Sequence, residues 1–162
     1  MVLYEDRPKY DLWFKALLAF APLLLAVFGF IALLDYYGYI ETGEPKEDAR
    51  MGAIVLFALI PFVLLLSWAL LPRRYQILED RIKIVLGSPF SFKIGFDTIK
   101  EARKATVWSG TMTINFVTSV KNVVEVLRSK GMHVAISPSN RELFLEELTK
   151  VMANWKRSQG IA

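Results

Sequence analysis

Any chemistry in this chain would have to be assembled from few parts. Its one histidine is His133, and there is no cysteine. Disulfides, thiolate zinc sites and cysteine nucleophiles are thereby excluded. A single histidine without cysteine or a carboxylate motif does not make a metal centre. By strand alternation His133 lies opposite Met132, Val134 and Ile136, at a surface position. Asp97 and Glu101 flank one turn and could form an acid pair for proton transfer, although a solvated turn is the commoner reason for such a pair. No nucleophile elbow, P-loop, dinucleotide fingerprint or zincin helix occurs. The expectation is a protein that is not an enzyme, with no catalytic residue, no cofactor and no metal.

The basic residues carry more information. Net charge is +4, but residues 73–162 hold 15 Lys/Arg against 8 Asp/Glu. Arg73, Arg74, Arg81 and Lys83 are the candidate lipid-facing group, close in sequence to the end of a long apolar run. Lys100, Arg103 and Lys104 form a second cluster. Each cation near an anionic leaflet contributes roughly 1 kcal/mol, screened within a Debye length. A solvated face with ordinary charge bias accounts for the same residues. Nucleic acid is not an expected partner, since no stacking motif accompanies the charge. Trp108 and Met112 bracket a hairpin turn and are the candidate interaction residues. Trp108 either enters the core or, if exposed, anchors a partner or the membrane interface.

The elements that must position these groups are of two kinds. Residues 16–34 and 51–71 are uncharged. At about 1.5 Å per residue, each run reaches across a hydrocarbon core of roughly 30 Å. The first run is too long for a signal-peptide core, and Asp35-Tyr36-Tyr37-Gly38-Tyr39 follows it without a small-residue cleavage site. Helices over about 13–34 and 51–71 are expected to form a membrane hairpin within residues 1–72. Trp13, Tyr36, Tyr37, Tyr39 and Trp68 fall near the ends, where amphipathic rings favour the headgroup zone, and Pro22 and Pro61 lie inside the helices. Cations flank the open ends (Arg7, Lys9, Lys15; Arg73, Arg74, Arg81, Lys83), whereas residues 35–52 sum to −3. Both termini are therefore expected in the cytoplasm, in a cell (inner) membrane protein. With no ionisable residue deep in either span, a channel or carrier acting alone is not expected.

Residues 73–162 alternate like short strands. The expected runs are 74–79 and 81–87 around Glu79-Asp80, then 90–99, 101–108, 112–116, 123–128 and 132–136. Reversals are expected at Ser109-Gly110 and Ser129-Lys130-Gly131. Seven strands so spaced indicate a sandwich or small barrel. A C-terminal helix follows, with Ser139 and Glu142 as a capping box. Leu143, Phe144, Leu148, Val151, Met152 and Trp155 make one stripe, expected to pack on the open barrel end; lying on the membrane is the alternative.

The segment Tyr75-Gln76-Ile77-Leu78-Glu79-Asp80-Arg81-Ile82-Lys83-Ile84 resembles the bacterial PH domain family. So do Phe96-Asp97-Thr98-Ile99 and Val134-Ala135-Ile136-Ser137-Pro138-Ser139-Asn140 leading into Phe144, Leu145 and Leu148. The resemblance covers about 73–155. It implies a PH-like seven-stranded, partly open barrel capped by a C-terminal α-helix, associated with a membrane. The tight acidic turn at Glu79-Asp80 departs from phosphoinositide-binding PH domains, whose basic residues flank a longer loop. Fold alone does not assign a task. The leading expectation is a membrane-anchored adaptor or regulatory protein with a protein partner or a second copy of itself. An anionic-lipid sensor and an accessory subunit of a larger membrane complex remain open.

Overall fold

The structure, a computed structural model, describes residues 1–106 and 113–160. Two compact units emerge, residues 12–68 and a second built from 1–11 together with 69–162.

The first unit contains α1 (Leu12–Tyr36) and α2 (Lys46–Leu70), both long and apolar enough to cross a membrane. Large side chains such as Phe20, Leu23, Phe28, Phe62 and Leu65 are exposed around them. Small residues mark where the helices meet: Gly29 of α1 and Ala49 and Ala53 of α2 are buried. A Cβ on Gly29 would stand 3.2 Å from the Phe57 ring, so glycine permits this close approach. Near the end of α1, the buried Asp35 carboxylate accepts from the Thr42 backbone N–H at 3.2 Å and from the Thr42 hydroxyl. Gly38 and Gly43 take left-handed φ values of 77° and 87°, which cost glycine little.

Among the described residues the second unit has eight strands and one helix. Strands β1 (Val2–Asp6), β2 (Arg74–Leu78), β3 (Arg81–Val85) and β4 (Ser91–Gly95) form an antiparallel sheet in that order. A 3₁₀ turn at Phe96–Thr98 leads into β5 (Ile99–Ala105). With β6 (Thr113–Phe116), β7 (Val123–Arg128) and β8 (His133–Ile136) it makes the second sheet, ordered β5-β7-β8-β6. The inner faces supply Tyr75, Ile77, Ile82, Ile84 and Ile94 from one sheet and Val124, Val126, Val134 and Ile136 from the other. Helix α3 (Arg141–Ser158) buries Phe144, Leu148 and Val151 in that core. Its stripe is core, as the periodicity indicates, though Leu143 stays exposed.

Besides the added strand β1, three features differ from the sequence expectation. The sheets do not close into a barrel: they are separate four-stranded sheets, with β1 and β4 at the edges of one and β5 and β6 at the edges of the other. The expected pairing of 101–108 with 112–116 as a hairpin is replaced. Strand β5 pairs with β7, and β6 runs parallel to β8; the expected reversal at Ser109-Gly110 lies outside the described residues. Finally, Asn140 rather than Ser139 caps α3, its side chain accepting from the Leu143 N–H at 3.1 Å. The Ser139 hydroxyl donates to Asp6 instead.

Candidate functional site

A strap from the N-terminus organises the second unit. Beyond β1, Lys9 donates its N–H to Ser137 O at 2.9 Å and Asp11 its N–H to Thr118 O at 3.0 Å. Thr118 Oγ1 donates to Lys9 O at 2.7 Å, and the Asp11 carboxylate accepts from the Val120 N–H at 2.8 Å. The Asp6 carboxylate, 8% exposed, accepts from the N–H groups of Arg7 at 2.7 Å and Asn140 at 3.1 Å, besides the Ser139 hydroxyl. Residues 1–11 thus pair with the first sheet and stitch the second to the start of α3. Val2 and Tyr4 are β-formers, the one local signal for a strand here.

Of the four candidate lipid-facing residues, Arg73, Arg74 and Lys83 line one cleft of about 400 Å³ with Phe90, which is exposed. Arg74 reaches Glu5 Oε1 at 3.2 Å, and Gln76 donates to the other Glu5 oxygen at 2.7 Å. Lys83 stands opposite both Gln76 and Lys93 in the ladder, so strands β2 to β4 carry a basic outer face. Arg81 is not part of this cleft. It lines another with Lys93, Asp97 and Trp155, and its guanidinium pairs with Asp80. That hydrogen bond lowers the Asp80 pKa and raises that of Arg81. Trp108 and Met112 lie outside the described residues.

Asp97 and Glu101 line different clefts and do not form an acid pair. His133 is half-buried, its Nδ1 accepting from the Arg128 N–H at 3.0 Å. Among the described residues no group of three or more His, Cys, Asp or Glu could hold a metal ion.

A second basic cluster gathers where β5 meets the start of α3. Arg103, Lys104 and Arg141 line a cleft of about 520 Å³ together with Glu125. Glu125 is fully buried, and one of its oxygens accepts from Arg103 Nε at 3.0 Å and Nη2 at 2.9 Å. Linear spacing gives no hint of this pair, because the partners meet only through the β5–β7 register. Lys104 pairs with Glu142 at 2.8 Å, and Arg141 reaches the same carboxylate at 3.2 Å. Lys104 above all, with the backbone and Arg141, holds Glu142 down at a pKa of about 2. A depressed carboxylate stabilises the fold at pH above its ordinary range, and that contribution fades as pH falls toward 2. Lys104→Ala is expected to return the Glu142 titration toward the ordinary carboxylate range, followed by side-chain carboxyl NMR; an unmoved titration would contradict the pairing.

With this geometry in place, comparison with known proteins is informative. Residues 73–152 match the family model described as Bacterial PH domain. The matched segment follows two helices long and apolar enough to span a membrane. PH domains are in general protein-interaction or lipid-binding modules. Neither the curated proteins nor the solved structures gave a match.

Proposed function

We propose that the chain is a non-enzymatic, membrane-anchored adaptor whose PH-like domain is held at the cytoplasmic membrane surface to engage other proteins. The observation that carries this reading is the strap. Residues 1–11 precede α1 and residues 69–162 include the end of α2, yet both belong to one folded unit. If α1 and α2 span the bilayer, both open ends of the hairpin return to the same side, and the domain is tethered at two points. The connections are short, from Asp6 to Leu12 and from Leu70 to Arg74. A doubly tethered module suits a fixed docking platform better than a freely ranging one. The cation bias of the open ends supports the cytoplasmic side. In this reading the cytoplasmic domain proposed for residues 73–162 also includes residues 1–11.

Chemical crosslinking in intact membranes, followed by purification in mild detergent, tests the adaptor. A stable partner or self-association is the expected result; a strictly monomeric chain without a partner counts against it.

One observation favours a second reading, recognition of anionic lipid headgroups: Arg73, Arg74 and Lys83 share a cleft with exposed Phe90. In nanodiscs, anionic lipid should then slow amide exchange across residues 73–91 in a salt-sensitive manner. Exchange indifferent to lipid charge removes this reading.

A further inference from the structure

Strand β5 is the edge of the second sheet, and its only ladder among the described residues is with β7. Glu101–Ala105 make no other backbone–backbone hydrogen bond among the described residues. An edge strand presents a row of unpaired N–H and C=O groups to any chain that can lie alongside it. Here the free edge runs beside a helix. Between β5 and α3 lies a groove of about 280 Å³, lined by Ala102 from the strand and Leu148, Thr149, Met152 and Ala153 from the helix. Small side chains at positions 102, 149 and 153 keep it open, and Leu148 and Met152 give it an apolar floor. The stretch from Glu101 to Ala105 spans roughly 17 Å at the usual strand rise, enough for an extended segment of about five residues.

Charge selects the occupant. Lys156 lines the groove and Lys100 is exposed at the start of β5, and neither makes an ion pair among the described residues. Arg103 and Lys104 follow along the strand but are already paired, with Glu125 and Glu142. The acids nearby are largely committed: Glu125 is buried against Arg103, and Glu142 is held by Lys104 and Arg141. Glu101 is the remaining rim acid.

We infer that the β5–α3 groove is a peptide-docking site that takes an extended segment of a partner protein by strand addition to β5. The segment places an aliphatic side chain over Ala102, Leu148 and Met152 and acidic side chains beside Lys100 and Lys156. Main-chain hydrogen bonds to the strand supply affinity, and the groove and its cations supply selectivity. This inference rests on the adaptor reading and names where and how the partner docks.

The test uses the full chain in nanodiscs of neutral lipid and a phage-displayed library of random twelve-residue peptides. Selected sequences should combine acidic residues with an aliphatic residue. As synthetic peptides they should slow amide exchange in β5. Ala153→Trp fills the groove from its exposed side without touching the core, and should weaken these peptides at least about tenfold, or 1.4 kcal/mol. Lys156→Glu should weaken the acidic ones and leave charge-neutral controls unchanged. Unaltered exchange in β2–β4 verifies that both variants are folded. A library that yields no binder, or binders that grip Ala153→Trp as tightly as the parent, overturns the groove. A partner crosslinked from membranes that binds Ala153→Trp undiminished also rejects the groove and leaves the adaptor reading standing.

Discussion

Asp6→Ala is expected to destabilise the β unit by about 2–4 kcal/mol, because it orphans the Asn140 N–H and the Ser139 hydroxyl at a nearly closed site. The carboxylate is 8% exposed and takes three donors, at Arg7, Ser139 and Asn140. No nearby group can replace it at the start of α3, whose own cap is Asn140. Asp6→Asn keeps one acceptor oxygen and should recover part of the loss. Deleting residues 2–9 is the larger lesion. It removes β1, uncovers the β2 edge, and strips Ser137 and Thr118 of their bonds to Lys9. Hydrogen exchange by mass spectrometry in nanodiscs reads both changes directly. Protection in β2, β8 and the first turn of α3 should fall together. Undiminished protection in these elements after the deletion would mean that the strap is decorative.

Phe144→Ala should cost about 3–5 kcal/mol, the range for emptying an aromatic site in a closed core. Phe144 is fully buried at the junction of both sheets and α3, with edge-to-face neighbours Tyr4 at 6.2 Å and Tyr75 at 6.4 Å. Tyr75 shares this centre: its hydroxyl donates to Phe116 O at 3.1 Å and accepts from the Ser137 N–H at 3.3 Å, and burial pushes its pKa upward. A cavity at Phe144 therefore loosens the strap, the first sheet and the second sheet at once. Urea unfolding of the detergent-solubilised chain, followed by near-ultraviolet circular dichroism, measures the loss. Phe144→Leu retains most of the volume and should cost under about 1.5 kcal/mol. Equal costs for the two variants would contradict a close-packed core here.

Much of this architecture can be read from residue order. The uncharged runs mark α1 and α2, each long and apolar enough to cross a membrane. Ile82, Ile84 and Leu86 alternate as strand residues should, and all three are buried. The helical stripe of Phe144, Leu148 and Val151 is core for the same reason. Periodicity reports which face of an element is apolar but says nothing of which element lies beside it. Hence β6 shows a clear alternation while its parallel partner, β8, cannot be deduced from it. The same limit hides Arg103 and Glu125, separated by twenty-two positions and joined only by register. Strand β1 escapes for another reason. Its five residues sit among charges directly ahead of a membrane-length helix, where Asp6 and Asp11 resemble a solvated flank. In the fold both carboxylates accept backbone N–H groups across the strap. For the candidate site, the basic residues were legible and their grouping was not: Arg73, Arg74 and Lys83 converge, while Arg81 turns to Asp80.

The central claim is that both ends of the membrane hairpin belong to one domain on one side of the bilayer. Because the chain has no cysteine, single introduced thiols report their position without background. The decisive measurement is labelling of Leu3→Cys, Glu44→Cys and Ser158→Cys in intact cells with a membrane-impermeant maleimide, before and after permeabilisation. The account predicts that Glu44→Cys labels at once, whereas Leu3→Cys and Ser158→Cys label only after permeabilisation. Labelling of positions 3 and 158 from opposite sides, or of all three thiols from the same side, would contradict it.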